Sequence, residues 1–166
     1  KFIYKILRLI YPHILRRSNH TFFHNSEDAK YFTRNVIKNN FSVIGGSGIN
    51  VKKIKSLEKS YLFKEKVPKI ACFARLLKDK GILEYIEATE ILFRNYPEFI
   101  GSVFLAGTFY KYNLKNNLIT SDIISDWEKK GGIFLGQPKN KDLFYLDTDI
   151  ICLPSYREGL SNVLLE

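Results

Sequence analysis

The chain has 166 residues, 26 Lys+Arg against 17 Asp+Glu for a net charge of +9, with 45% apolar and 14% aromatic residues. That composition supports a packed core and excludes a disordered chain. No apolar run reaches the about 20 residues of a membrane span, Lys5, Arg8 and His13 interrupt any signal-peptide pattern, and the scattered Lys and Arg carry no aromatic-interleaved nucleic-acid signature.

Residues 1–17 are basic and amphipathic, with Phe2, Ile3, Ile6, Leu7, Leu9 and Ile10 beside Lys1, Lys5 and Arg8. They read either as a helix packed on a domain or as a helix lying on an anionic membrane surface, and Pro12 is expected to disturb it. Thr21-Phe-Phe-His24 is a short apolar stretch, and Asn25-Ser26-Glu27-Asp28 is a helix start with acids in its first turn, predicting a helix to about Asn35. His24 at the strand end reads as structural. Phe41–Ile44 is a strand closed by Gly45-Gly-Ser-Gly48, a sharp turn or hinge that lacks the lysine of a phosphate-binding loop. Residues 52–66, rich in Lys, Glu and Ser, read as a surface connection.

From Val67 the pattern is regular. Lys69–Ala74 is a strand, and Gly81 opens a helix with Ile82, Tyr85, Ile86, Thr89, Leu92 and Phe93 on one face, stopped by Pro97. Strands follow at Ser102–Ala106, Gly132–Gly136 and Ile150–Leu153, with helices around residues 120–130 and at Asp142–Leu146. Continuous apolar strands alternating with helices define an α/β fold, a doubly wound parallel sheet covered on both faces. Cys72 and Cys152 lie inside apolar strands and read as buried small hydrophobes, compatible with a reducing, cytoplasmic setting. No aspartate pair suggests a metal site.

Two constellations fall at strand carboxyl ends, where ligands bind in such sheets. In Phe73-Ala-Arg75-Leu-Leu-Lys-Asp-Lys80-Gly81, Arg75 offers a planar fork and Lys80 a point charge to a diphosphate. In Glu158-Gly-Leu-Ser-Asn-Val-Leu-Leu-Glu166 two carboxylates flank an expected helix start, whose free N–H groups suit phosphate while the acids suit hydroxyls. That combination fits a nucleotide sugar better than a bare phosphate.

With Leu105-Ala-Gly107, Ile133-Phe-Leu-Gly136 and Asp149-Ile-Ile-Cys-Leu-Pro-Ser155 in this order, the chain resembles the retaining glycosyltransferases of family 4, or glycosyl transferases group 1. The resemblance implies the Rossmann-like C-terminal half of a two-domain GT-B enzyme. Residues 1–40 would be a remnant of the N-terminal acceptor domain, 41–66 the interdomain hinge and linker, and 67–166 the donor-binding domain, incomplete at its end. It further implies that Arg75 and Lys80 bind the donor diphosphate, that Glu158 meets the transferred sugar and that Glu166 meets the ribose. The N–H groups of Gly159, Leu160, Ser161, Asn162 and Val163 would meet phosphate and sugar, with Gly136 and Gln137 near the base. The expected donor is a nucleotide-diphospho-sugar, a UDP-sugar by default, with no cofactor or metal; the acceptor is a polysaccharide or lipid-linked glycan. With no methionine and a lysine first, the chain reads as a fragment without the family's glycine-rich loop and histidine, and inactive alone. A nucleotide-sugar epimerase of the same fold and a non-catalytic binding module are the alternatives.

Overall fold

The computed structural model describes residues 2–35, 40–46, 48–54, 67–110 and 117–166. They form two compact units: residues 1–49 with 159–165, and residues 50–158 with Glu166.

The first unit opens with helix α1 (Phe2–Arg17), which runs through Pro12. The expected disturbance is therefore confined to the hydrogen bond that proline cannot donate. The helix docks through Leu15, which packs with Phe32 on buried Phe23 and Ala29. Strands β1 (His20–Phe23) and β2 (Asn40–Val43) pair in parallel, joined through α2 (Ser26–Asn35). The start of α2 is fixed by Asn25, whose Oδ1 accepts from the Asp28 N–H at 2.7 Å while its Nδ2 donates to the Asp28 carboxylate at 2.9 Å. The same unit holds the last helix, α7 (Asn162–Leu165).

The second unit begins with a single turn, α3 (Val51–Ile54); the rest of the expected connection, residues 55–66, lies outside the described residues. It then builds a four-stranded parallel sheet from β3 (Ile70–Phe73), β4 (Val103–Ala106), β5 (Ile133–Gly136) and β6 (Ile150–Ile151), in the order β5-β4-β3-β6. Helix α4 (Ile82–Asn95) joins β3 to β4 and α5 (Ser121–Lys129) joins β4 to β5. Both pack on one face, where Cys72, Val103 and Leu105 meet Ile82, Tyr85, Ile86, Phe93, Ile124 and Trp127. Alternate strand residues point to opposite faces. Phe73 therefore faces away from Cys72 and takes Phe144 of α6 (Lys141–Asp147) at 5.4 Å between ring centroids. Helices thus cover both faces, as the continuous apolar strands require.

Among the described residues, the core holds a side-chain polar pair. The indole N–H of Trp127, fully buried, donates to the Thr89 hydroxyl at 2.9 Å. Burial pushes the Cys72 thiol up to about 12, with Cys152 a smaller cause; both cysteines are free.

The strand order sets the position of the site. The chain leaves β3 toward β4 and β5 on one side, then returns to place β6 on the other. The sheet therefore has its topological switch point between β3 and β6, the position at which open α/β sheets generally bind their ligands.

Candidate functional site

The two loops flanking the switch point are the two that the sequence singles out. After β3 the chain passes Arg75, forms a tight turn at Lys78–Lys80 and enters α4 through Gly81. After β6 it passes Pro154 and Ser155 and reaches Glu158. Several contacts lace the loops together. The Tyr156 N–H donates to the Asp79 carbonyl at 3.0 Å, and the Tyr156 hydroxyl donates to the Glu84 carboxylate on the first turn of α4. Gly81 makes the close approach possible: its φ is +70°, and a Cβ there would lie 2.0 Å from the Pro154 carbonyl oxygen.

Lys80 and Glu158, 78 residues apart in sequence, consequently meet. The Lys80 ammonium donates to Glu158 Oε1 at 2.6 Å, with side chains 16% and 32% exposed. Partial burial pushes the Glu158 carboxyl up, but Lys80, Ser155 and the more distant Arg75 outweigh it and hold the group below the usual carboxylate range. Ser155 acts on Glu158 at longer range than a formed hydrogen bond, since its buried Oγ has no hydrogen-bond partner among the described residues.

Arg75 is exposed, and its guanidinium stands 5.8 Å from the centre of the Tyr110 ring, within cation–π range. The loops after β3 and β4 are themselves joined. Leu76 N–H donates to the Thr108 carbonyl at 3.1 Å and Lys78 N–H to that of Asn117 at 2.9 Å. Gly107, at φ +147°, lets the Ala74 carbonyl oxygen lie only 1.8 Å from where a Cβ would stand. Its N–H donates to the Gly136 carbonyl at 2.8 Å, which brings the end of β5 alongside. A bulge opposite Leu105 and Ala106 re-aims β5 there, and Gly136 and Gln137 follow it on this same strand-end edge.

Glu166 belongs to the same unit and accepts a hydrogen bond from the Tyr145 hydroxyl at 2.9 Å. Arg75, Lys80, Gly136, Gln137, Glu158 and Glu166 thus all lie in the second unit, and Lys80 and Glu158 are in direct contact.

Gly159, Leu160, Ser161, Asn162 and Val163 belong to the first unit, where Gly159 packs near His24. As expected, Glu158-Gly159 lies in a loop and a helix starts between the two carboxylates. Gly159 and Leu160 form a bend, and α7 begins at Asn162, with the Ser161 carbonyl accepting from Leu164 at 3.2 Å and Leu165 at 3.3 Å. The position of that start has a physical cause. Serine is a favoured cap, whereas glycine in a first turn costs backbone entropy.

Tyr110, Tyr145, Tyr156 and Glu84 escape the sequence reading. Tyr110 and Tyr156 sit in segments that read as loop and Tyr145 and Glu84 in segments that read as helix, and no motif marks their side chains. Among the described residues no group of three or more His, Cys, Asp or Glu side chains is placed to hold a metal ion, and no helix is long and apolar enough to cross a membrane.

The family model "Glycosyl transferases group 1" matches residues 53–166, well over half of the chain. The chain belongs to that family. No curated protein matches it in sequence. Among solved structures, the chain is similar to a trehalose-6-phosphate synthase studied with bisubstrate glycomimetics for glycosyl transfer with retention. That likeness has a TM-score of 0.69 at 18% identity, over 95% of this chain and 44% of that one. It is also similar to an E. coli structure described as trehalose-6-phosphate bound with UDP-2-fluoro glucose, with a TM-score of 0.68 at 17% identity, over 92% of this chain and 43% of the other. A trehalose 6-phosphate synthase from Burkholderia multivorans gives 0.53 at 15%, over 93% of this chain and 43% of that one. At these identities the likeness establishes the fold, the GT-B type α/β architecture. The chain spans less than half the length of these structures.

Proposed function

We propose that this chain supplies the donor side of a glycosyltransferase that moves a sugar, with retention, from a nucleotide-diphospho-sugar to a polysaccharide or lipid-linked glycan. The observation that carries the reading is the Lys80–Glu158 contact at the switch point between β3 and β6, with Arg75 on the adjoining loop. An ammonium has three donors and Glu158 takes one. The remaining two, with the guanidinium of Arg75, suit the oxygens of a diphosphate. As the glycosidic bond breaks, charge grows on that diphosphate, and fixed cations stabilise it. The sugar passes through oxocarbenium character, so Glu158 acts through hydrogen bonds to its hydroxyls. Glu166 would accept from the ribose, Gly136 and Gln137 would border the base, and the N–H groups of Gly159, Leu160, Ser161, Asn162 and Val163 would meet phosphate and sugar. Residues 1–40 would be the last part of an acceptor domain, followed by a hinge and linker at 41–66 and the donor domain at 67–166. UDP is the default nucleotide, and no cofactor or metal is invoked.

Peripheral contact with an anionic membrane is part of the same reading. Helix α1 contains no acid, carries Arg16 and Arg17 in its last turn and exposes Leu9, Ile10 and Ile14. Co-sedimentation with anionic but not neutral vesicles is the expected result, and equal partition between them removes this part.

The donor reading is tested by titrating the chain with UDP, GDP and ADP. At least one is expected to bind, with affinity lost in Arg75→Ala and Glu166→Ala. If none binds, or if both variants match the parent, the assignment fails.

A further inference from the structure

The hydrogen bond from Tyr145 to Glu166 joins a residue that the sequence reads as part of a short helix to a carboxylate expected at the ribose. Tyr145 is held firmly. Its helix, α6, is capped by Asn140, whose Oδ1 accepts from the N–H groups of Asp142 at 2.9 Å and Leu143 at 3.2 Å. Its ring belongs to an aromatic cluster, 5.5 Å from Phe144 and 6.3 Å from Phe73 between centroids. Partial burial first, and then the neighbouring Glu166 carboxylate, push the phenol above its ordinary value. The hydroxyl therefore stays protonated through the physiological range and can only stabilise Glu166 as a donor. Glu166 itself is exposed, and a free glutamate side chain loses considerable rotamer entropy when ordered.

We propose that Tyr145 is the positioning residue for Glu166. It holds Oε2, so that Oε1 is presented to the ribose hydroxyls in a fixed direction, and it thereby sets the preference of the site for ribose over deoxyribose. The inference rests on the donor-site reading above. A carboxylate already oriented gives up less freedom when the ribose arrives, which is preorganisation. A deoxyribose lacking the contacted hydroxyl gains nothing from it.

The experiment titrates the whole chain and its Tyr145→Phe, Glu166→Gln and doubly substituted variants with UDP, GDP and ADP and with their 2′-deoxy and 3′-deoxy counterparts. Phenylalanine keeps the ring packing, so the melting temperature of the single variant serves as a folding control. Tyr145→Phe is expected to weaken the ribonucleoside diphosphate about 3- to 10-fold, the worth of one hydrogen bond to a charged group shared with solvent. The deoxy form that lacks the contacted hydroxyl should be weakened by less than about 2-fold, so discrimination collapses. In the Glu166→Gln background the same change should add little. Equal weakening of ribose and deoxyribose forms, or full additivity with Glu166→Gln, overturns the positioning role. Failure of the parent chain to bind any nucleoside diphosphate overturns the donor-site reading itself, and this inference with it.

Discussion

Gly81→Ala separates two loops that the proposed site needs together. Gly81 has φ +70° and ψ 24°, a left-handed conformation that costs an alanine about 1–2 kcal/mol. The added Cβ also lies 2.0 Å from the Pro154 carbonyl oxygen and 2.6 Å from its carbon, both backbone atoms, where 3.4 Å is ordinary contact. Relieving it requires a shift of about 1.4 Å (3.4 − 2.0) in the loop leading to Glu158. Overpacking of this kind costs roughly 1–3 kcal/mol, so the total is about 2–5 kcal/mol. At about 4 °C per kcal/mol for a unit of this size, the melting temperature should fall by on the order of 10 °C. A comparable shift carries Glu158 from 2.6 Å to beyond hydrogen-bond reach of Lys80, so nucleoside diphosphate binding should weaken as well. Gly81→Asn is the companion variant. Asparagine tolerates the left-handed region but carries the same Cβ, so it should remain nearly as destabilised. The measurements are thermal melting by circular dichroism and calorimetric titration with UDP, GDP and ADP. An alanine variant that melts within about 2 °C of the parent and binds equally well refutes the reasoning, and an asparagine variant near the parent refutes the steric half of it.

Thr89→Val removes the acceptor of the fully buried Trp127 N–H and should cost about 1–3 kcal/mol, because the donor is left unpaired rather than replaced. The single tryptophan of the chain reports the transition in urea; an unchanged midpoint would contradict the assignment of that bond. Glu158 gives a pH signature. Its folded carboxyl is depressed, so its contribution is complete above the unfolded value of about 4.3 and is lost as pH falls through the folded value. The stability difference between the parent and Glu158→Gln should therefore be constant from neutral pH down to about 5 and shrink below about 4. A difference that persists undiminished at pH 2 shows that the charge is not its source.

How much of this was legible in the sequence follows from what each element buries. Strands β3 and β4 sit in the middle of the sheet, so Ile-Ala-Cys-Phe and Val-Phe-Leu-Ala are continuous apolar runs that nothing else explains. Helix α4 is legible because Ile82, Tyr85, Ile86, Thr89 and Phe93 repeat at the helical period, and all five are buried. Pro12 reads as a break but removes only one donor: the helix runs on to Arg17, with Leu15 beyond the proline packed on Phe23 and Ala29. The helix between Glu158 and Glu166 is legible, but its first residue is not: Ser161, a favoured cap, lies between the two acids and α7 starts just after it. Contacts made by side-chain tips were invisible. Nothing in the spacing tells that Tyr145 reaches Glu166 or that Tyr156 reaches Glu84, since each partner arrives through the order of strands rather than through local periodicity.

The same strand order explains why a pairing of Lys80 with Glu158 suits a selective site. A lone lysine at the switch point would attract any phosphate. Paired with Glu158 at 2.6 Å, its charge is largely compensated, and a bare anion that takes the ammonium strips the carboxylate of its partner. On the proposed reading a sugar diphosphate would not impose that loss, because its hydroxyls would donate to Glu158 while its phosphates would take up the remaining donors of Lys80 and the fork of Arg75. On the proposed reading, the ion pair discriminates by what it leaves unsatisfied: the cation accepts phosphate at little cost only when the ligand also brings hydroxyls for the acid. Neither residue could do this alone, and the crossover from β5 back to β6 is what makes them neighbours.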